Sequence, residues 1–280
     1  MFHWVLTFTC LDGPGIVHAI TGACGAEGGN ITELQQFSST DTGRFFMRVE
    51  VDSVLDLERF REQLRPVAER FDGEWSVHEA GRPLRTLVLA SKAGHCLNDL
   101  LYRQRSGRLT VDIPVVLANH PDLEPLAKFY NIPFESYPVT PETKATFESR
   151  VRQVVEDEAI ELVVLARYMQ ILSPELCEFL AGRAINIHHS FLPGFKGANP
   201  YRQAHARGVK LIGATAHFVT ADLDEGPIIE QNVVRVDHSR TVKQLVEVGQ
   251  DQESMTLSDA VQLFAEHRVF LDGARSVVFD

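Results

Sequence analysis

The stretch Asn186-Ile187-His188-His189-Ser190-Phe191-Leu192-Pro193-Gly194-Phe195-Lys196-Gly197 decides how the chain reads. It opens inside a short apolar strand, Ala184 to His188, and then breaks into a Pro/Gly loop. Side chains alternate along a strand, so Asn186 and His188 share one face and His189 takes the other. At a strand end in an open α/β sheet, that shared face opens on the crevice where ligands bind. An amide and a titratable imidazole therefore arrive together beside a loop, a pairing suited to carbonyl chemistry.

Upstream of this stretch, apolar runs alternate with helical patterns. Thr86 to Ala90, Ile113 to Ala118, Phe134 to Val139 and Leu162 to Ala166 read as buried strands. His95 to Arg105, Leu123 to Tyr130 and Pro141 to Glu158 read as helices between them. Downstream come a helix from Asn199 to Arg207, strands Leu211 to Val219 and Ile228 to Val236, and a helix from Val242 to His267. Such alternation predicts a parallel sheet covered on both faces. The first eighty residues differ: their order is βαββαβ, a ferredoxin-like split sandwich, with Thr40-Asp41-Thr42-Gly43 turning a hairpin. The expected domains are 1–80, a linker 81–84 (Gly81-Arg82-Pro83-Leu84) and 85–280.

At 280 residues the chain has room for two ordinary domains. Apolar content of 44% and charged content of 23% are those of a soluble globular protein. No run approaches the ~18 apolar residues of a membrane span, and Met1-Phe2-His3-Trp4 lacks a basic leader start. Cys10, Cys24, Cys96 and Cys177 are scattered without metal-type spacing, as expected of reduced thiols in a cytoplasmic protein. The net charge is −11, with six Lys/Arg against thirteen Asp/Glu in residues 1–80. A nucleic-acid partner needs a basic face, and a membrane partner an apolar or basic one; neither is expected.

The second informative stretch runs from His217-Phe218-Val219 into Thr220-Ala221-Asp222-Leu223-Asp224-Glu225-Gly226-Pro227. Taken singly, Asp222 and Asp224 are ordinary turn formers, and His217 an ordinary core histidine. Together with the first stretch they say more. An imidazole needs a carboxylate to fix its tautomer, and a developing oxyanion needs a donor beside it. His188, Asp224 and Asn186 fill those three roles if the two loops meet, with His217 supporting Asp224. Ser190 lacks the glycines of a nucleophile elbow, so water or a substrate amine is the expected attacker. His188, His189, His205 and His217 do not carry a zinc spacing, and no metal is expected. Ser91-Lys92-Ala93-Gly94-His95 is a strand-to-helix loop without a phosphate-type glycine pattern. In Leu165-Ala166-Arg167-Tyr168-Met169-Gln170-Ile171-Leu172-Ser173-Pro174, Ser173 is a helix cap, and the apolar residues are either core or a wall for a flat ring.

Asn186-Ile187-His188 with Ser190-Phe191-Leu192-Pro193, His217-Phe218-Val219 through Asp224-Glu225-Gly226, and the Leu165-to-Pro174 segment together resemble the folate-dependent formyltransferases over roughly 85–280. The resemblance implies a Rossmann-like, mostly parallel-sheet formyl-transfer fold without a dinucleotide, with catalytic Asn186, His188 and Asp224, and a folate pocket at Met169, Gln170, Ile171, Leu172, Val219, Thr220 and Asp222. Residues 1–80 resemble an ACT domain through Asp12, Gly15-Ile16 and Gly29-Asn30-Ile31. That likeness implies pairing with a second copy, as dimer or tetramer, and an amino-acid effector such as glycine or methionine near Asp12, Gly13, Gly15 and Asn30. The effector carboxylate would take the first helix's N-terminus. The combination of modules, the doubled His188-His189 and the Arg167-Tyr168-Met169 spelling imply hydrolysis of 10-formyl-tetrahydrofolate to formate and tetrahydrofolate. That reaction supplies formate for purine synthesis and uses the folate as substrate, with no cofactor. The alternatives are formyl transfer to glycinamide ribonucleotide and an amino-acid sensor with an inactive catalytic domain. One departure from this resemblance is Gly249-Gln250-Asp251-Gln252-Glu253-Ser254, with Gln and Ser where relatives tend to carry Arg; it is read as helix surface.

Overall fold

The structure is a computed structural model that describes residues 1–192 and 200–280. It divides into two compact units, 1–82 with 266–280, and 83–265.

In the first unit, β1 (Phe2–Leu11), α1 (Ile16–Gly25), β2 (Asn30–Ser38), β3 (Arg44–Ser53), α2 (Leu57–Phe71) and β4 (Glu74–Glu79) follow the expected βαββαβ order. They form an antiparallel sheet in the order β2-β3-β1-β4. Leu6, Phe8 and Cys10 lie on one face of β1 at period two and meet Ile16, Ile20 and Cys24, one stripe of α1. Asp56 caps α2 by accepting from the Arg59 amide at 3.0 Å.

The second unit runs β5 (Leu84–Ala90), α3 (His95–Arg105), β6 (Val111–Asp112), β7 (Val116–Ala118), α4 (Glu124–Phe129), β8 (Phe134–Ser136) and α5 (Lys144–Asp157). It continues with β9 (Leu162–Ala166), α6 (Pro174–Phe179), β10 (Ala184–His188), α7 (Pro200–Arg207), β11 (Leu211–Phe218), β12 (Ile228–Arg235) and α8 (Val242–Ala265). The sheet order is β12-β11-β10-β9-β5-β7-β8, with β6 also on β5. Strands β5 to β10 pair in parallel, and β11 is antiparallel to both its neighbours. From β5 the chain first moves outward to β7 and β8, then returns to build β9 and β10 on the other side. That reversal is the topological switch point, and the crevice beyond the strand ends there is where ligands bind.

Three expectations change. The strand expected over Ile113 to Ala118 is shortened to β7, with β6 lying just before it, because Pro114 has no N–H to give a ladder. The last helix stops at Ala265, and a hairpin follows: β13 (Val269–Asp272) and β14 (Arg275–Val278). Residues 266–280, expected to belong to the catalytic domain 85–280, instead complete the first unit. There Phe270 packs edge-on against Phe46 at 5.9 Å, and Arg48 Nε donates to the Glu266 carbonyl at 3.0 Å. The Pro/Gly loop read at 193–197 and the helix start read at Asn199 lie outside the described residues.

Candidate active site

Beyond the ends of β9, β10 and β11 lies a cavity of about 270 Å³, open on one side. It is built chiefly by three segments, 165–172 at the end of β9, 186–189 at the end of β10 and 217–224 at the end of β11, with Cys177 of α6 beside them. Strands β10 and β11 pair with Asn186 opposite His217 and His188 opposite Thr215. This register brings the amide and both imidazoles onto one face.

His188 Nδ1 lies 3.3 Å from Asp224 Oδ2, and His217 Nε2 lies 3.7 Å from Asp224 Oδ1. Hydrogen bonding from His188 holds the Asp224 carboxyl far below the usual carboxylate range, against the opposing effect of burial. A carboxylate at Nδ1 keeps the proton there, so His188 Nε2 presents its lone pair. That Nε2 is buried and has no partner among the described residues. His217 Nδ1 donates to the Phe218 carbonyl at 2.9 Å, leaving Nε2 to accept from Asn186 Nδ2 at 3.2 Å. His217 thus orients Asn186, with its Nε2 3.7 Å from Asp224 Oδ1. One amide N–H of Asn186 is engaged there, and the amide has a second.

The turn that delivers Asp224 is built for it. Asp224 has φ 57°, a left-handed conformation that L residues rarely adopt and that gathers at functional sites. Two residues on, a Cβ on Gly226 would stand 1.8 Å from the Phe218 carbonyl oxygen. Only glycine lets the turn fold back this closely on β11.

Met169, Gln170, Ile171, Leu172, Val219 and Thr220 line the cavity, and Met169, Ile171 and Leu223 leave apolar surface exposed. Asp222 does not line it. Its side chain is exposed, and its carbonyl accepts from Thr220 Oγ1 at 2.9 Å, so it serves the turn through its backbone. In the first unit, Asp12, Gly13 and Gly15 occupy the exposed turn between β1 and α1. Asn30 opens β2 opposite Asp52. Ser173 caps α6 by accepting from the Leu176 amide at 3.2 Å.

Among the lining residues outside the expected site, His189 and Arg167 matter most. Strand β10 ends at His188, so the alternation does not carry to His189. Its ring lies 5.0 Å from that of His188 and lines the same cavity. Burial, and then the charge of Arg167, push the His189 pKa down to about 4. Arg167 also lines the cavity, and its Nε lies 3.3 Å from Glu253 Oε2. Glu253 comes from α8 and is only 1% exposed. It accepts from Tyr201 at 2.6 Å and pairs with His95 Nε2 at 2.8 Å. Burial alone would push Glu253 up, but His95, Arg167 and Tyr201 together hold it below the usual carboxylate range. The 249–254 stretch read as helix surface is therefore buried on one side. A Cβ on Gly249 would stand 2.1 Å from the Tyr201 hydroxyl. Ligand atoms of His95, Cys96 and Glu253 lie within 4.8 Å of one another. Burial drives the Cys96 thiol far up, and an arginine already faces the carboxylate, so the trio is a poor cation site.

The formyl transferase family profile matches residues 84–261, and the ACT domain profile matches 4–69. A formyltetrahydrofolate deformylase from Corynebacterium sp. (strain P-1) is 48% identical over 277 residues, spanning 98% of this chain and 97% of that protein. The chain belongs to the formyltetrahydrofolate deformylase family. A crystal structure of a family member from Burkholderia mallei ATCC 23344 superposes with a TM-score of 0.96 at 51% identity, each chain covered in full. A glycinamide ribonucleotide transformylase 1 from Symbiobacterium toebii is similar over 72% of this chain and 97% of its own, at TM-score 0.66 and 33% identity. The deformylase family thus shares its catalytic unit with transferases, and in this chain an ACT domain precedes that unit.

Proposed function

We propose that the chain hydrolyses 10-formyl-tetrahydrofolate to formate and tetrahydrofolate, with His188 as general base and acid. The observation that carries this reading is the bare Nε2 of His188 inside the cavity, its Nδ1 backed by Asp224 and the Asn186 amide beside it. Water gives a proton to Nε2 and adds to the formyl carbon. The carbonyl oxygen takes up the negative charge and accepts from Asn186 and the newly protonated His188. As the intermediate collapses, the bond to the folate nitrogen breaks, and that nitrogen takes the proton back from His188. Asp224, anionic throughout, stabilises the imidazolium and keeps the ring in place. The pteridine ring system packs on the 169–172 and 219–220 walls.

The formate leaves for purine synthesis, the ACT domain takes a small amino acid such as glycine or methionine near Asp12–Gly15 and Asn30, and the chain works as a cytoplasmic homo-oligomer. Over the whole chain the likeness is to deformylases, which favours water over glycinamide ribonucleotide as acceptor.

The test is formate release from 10-formyl-tetrahydrofolate without any amine. We expect turnover in the wild type and a loss of about 100- to 10,000-fold in His188→Ala, the usual range for general acid–base catalysis. Turnover that requires glycinamide ribonucleotide, or a folded His188→Ala with near-normal formate release, would overturn the reading.

A further inference from the structure

We infer that Arg167 is the residue that makes the cavity select water over an amine, a conclusion that rests on the hydrolytic reading above. Three observations converge on it. Arg167 has φ 60°, a conformation that favours glycine, yet the position carries one of the largest side chains. That side chain lines the reaction cavity, whose acid–base pair is His188 and Asp224. Finally, a nearly inaccessible carboxylate, Glu253, is held against it from α8, with both oxygens committed: Oε2 to His95 and Arg167, Oε1 to Tyr201. Glu253 itself does not line the cavity.

An amine acceptor needs two things from such a site. It arrives largely as an ammonium ion, so it needs an anion to receive it, and it then needs an acceptor to orient the neutral N–H groups. Arg167 denies both: it places a fixed positive charge where the ammonium would enter, and it takes up the buried carboxylate that could have received it. Water is neutral, donates to His188 Nε2 and needs neither. Removing the guanidinium leaves Glu253 facing the vacated space, and the same acid–base machinery can then serve an amine. The ammonium first gives one proton to bulk water; the amine lone pair then forms the new C–N bond, and a second amine proton passes to His188 Nε2. The bond to the folate nitrogen breaks with its electron pair, and that nitrogen takes the proton. No further reactant is consumed.

The experiment gives wild type, Arg167→Gly, Arg167→Gln and Arg167→Lys 10-formyl-tetrahydrofolate with increasing glycinamide, and measures formate and N-formylglycinamide separately. Glycine suits the backbone at 167, and glutamine removes the charge while keeping bulk, so one of the two should yield folded protein. We expect the formylated-amine fraction to rise about tenfold or more in Arg167→Gly and Arg167→Gln, and to stay near wild type in Arg167→Lys. Adding Glu253→Gln to Arg167→Gly should bring it back down. Partition is a ratio of products, so a general loss of activity does not move it. Folded Gly and Gln variants that release formate but partition like wild type would overturn the inference, as would Arg167→Lys partitioning like Arg167→Gly. A wild type that releases no formate would instead overturn the hydrolytic reading.

Discussion

His189 and Asp224 are two titratable groups of one cavity whose pKa values are lowered for different reasons, His189 by burial and the charge of Arg167, Asp224 by hydrogen bonding from His188, and each leaves its own mark on stability. Asp224 is lowered, so its contribution is complete above the ordinary carboxylate range and fades only as pH falls below it. His189 is pushed down to about 4 from 6.5, so as pH falls the unfolded chain takes up its proton first. The native state therefore loses stability between about pH 6.5 and pH 4, by ~3 kcal/mol when fully expressed. Above about pH 4.5 the two windows hardly overlap, because Asp224 in the unfolded chain titrates near the usual carboxylate value. His189→Gln, which has no proton to gain, should lose less stability than the wild type between about pH 7.5 and about pH 4.5. Urea midpoints at the two pH values read the difference; equal losses in both proteins would show that His189 is not held neutral by its surroundings.

At the scale of elements, the site is a consequence of one strand register and one turn. Strand β10 ends at His188, and β11 lies beside it with His217 opposite Asn186. The turn after β11 then brings Asp224 back, and Gly226 is what lets it return. Gly226→Ala forces a methyl onto the Phe218 carbonyl, a packing strain of about 1–3 kcal/mol. It should also displace Asp224 by enough to cost ~100-fold in kcat at temperatures well below melting. Circular-dichroism melting and formate assays on the same sample check both, and full activity in a folded variant would remove the turn from the argument. Much of this was legible beforehand, because Ala184 to His188 is a run of the right length ending in a Pro/Gly break, and the Asp224-to-Gly226 spacing marks the turn. Arg167 and His189 were not. Alternation says nothing once a strand has ended, and a positive φ at an arginine leaves no trace in the sequence. Glu253 was misread as surface because α8 is covered on more than one side, which blurs the polar stripe a surface helix would show. A nearby clue existed in Gly249, a helix-interior glycine that makes room for Tyr201.

At the scale of the whole molecule, the chain passes between its two units twice: once near Pro83 and again after Ala265. The second passage shows in β3, where both faces are apolar or buried. Met47, Val49 and Val51 face the helices, while Phe46 and Arg48 on the other side are also covered. An antiparallel sheet with one wet face would not bury an arginine to 2% exposure, so something must cover that face. The cover is the last fifteen residues. Phe270 and Phe279 pack with Phe46, Arg268 pairs with Glu33, and the Glu266 carbonyl receives Arg48 Nε. Ending the chain at Ala265 leaves the second unit's elements intact but uncovers Phe46 and strips a partner from a buried guanidinium. Exposing a core aromatic destabilises by about 2 kcal/mol or more, and leaving the Arg48 Nε–H without its acceptor by about 1–3 kcal/mol, while Glu33 and Glu50 still pair with its charge. The truncated protein should therefore bind a hydrophobic dye, and its first unit should melt at a lower temperature than the second. Amide hydrogen exchange should rise in β1 and β3 while β5, β9 and β10 keep their protection. Unchanged protection in β3 would mean that the first unit's sheet holds without its C-terminal cover.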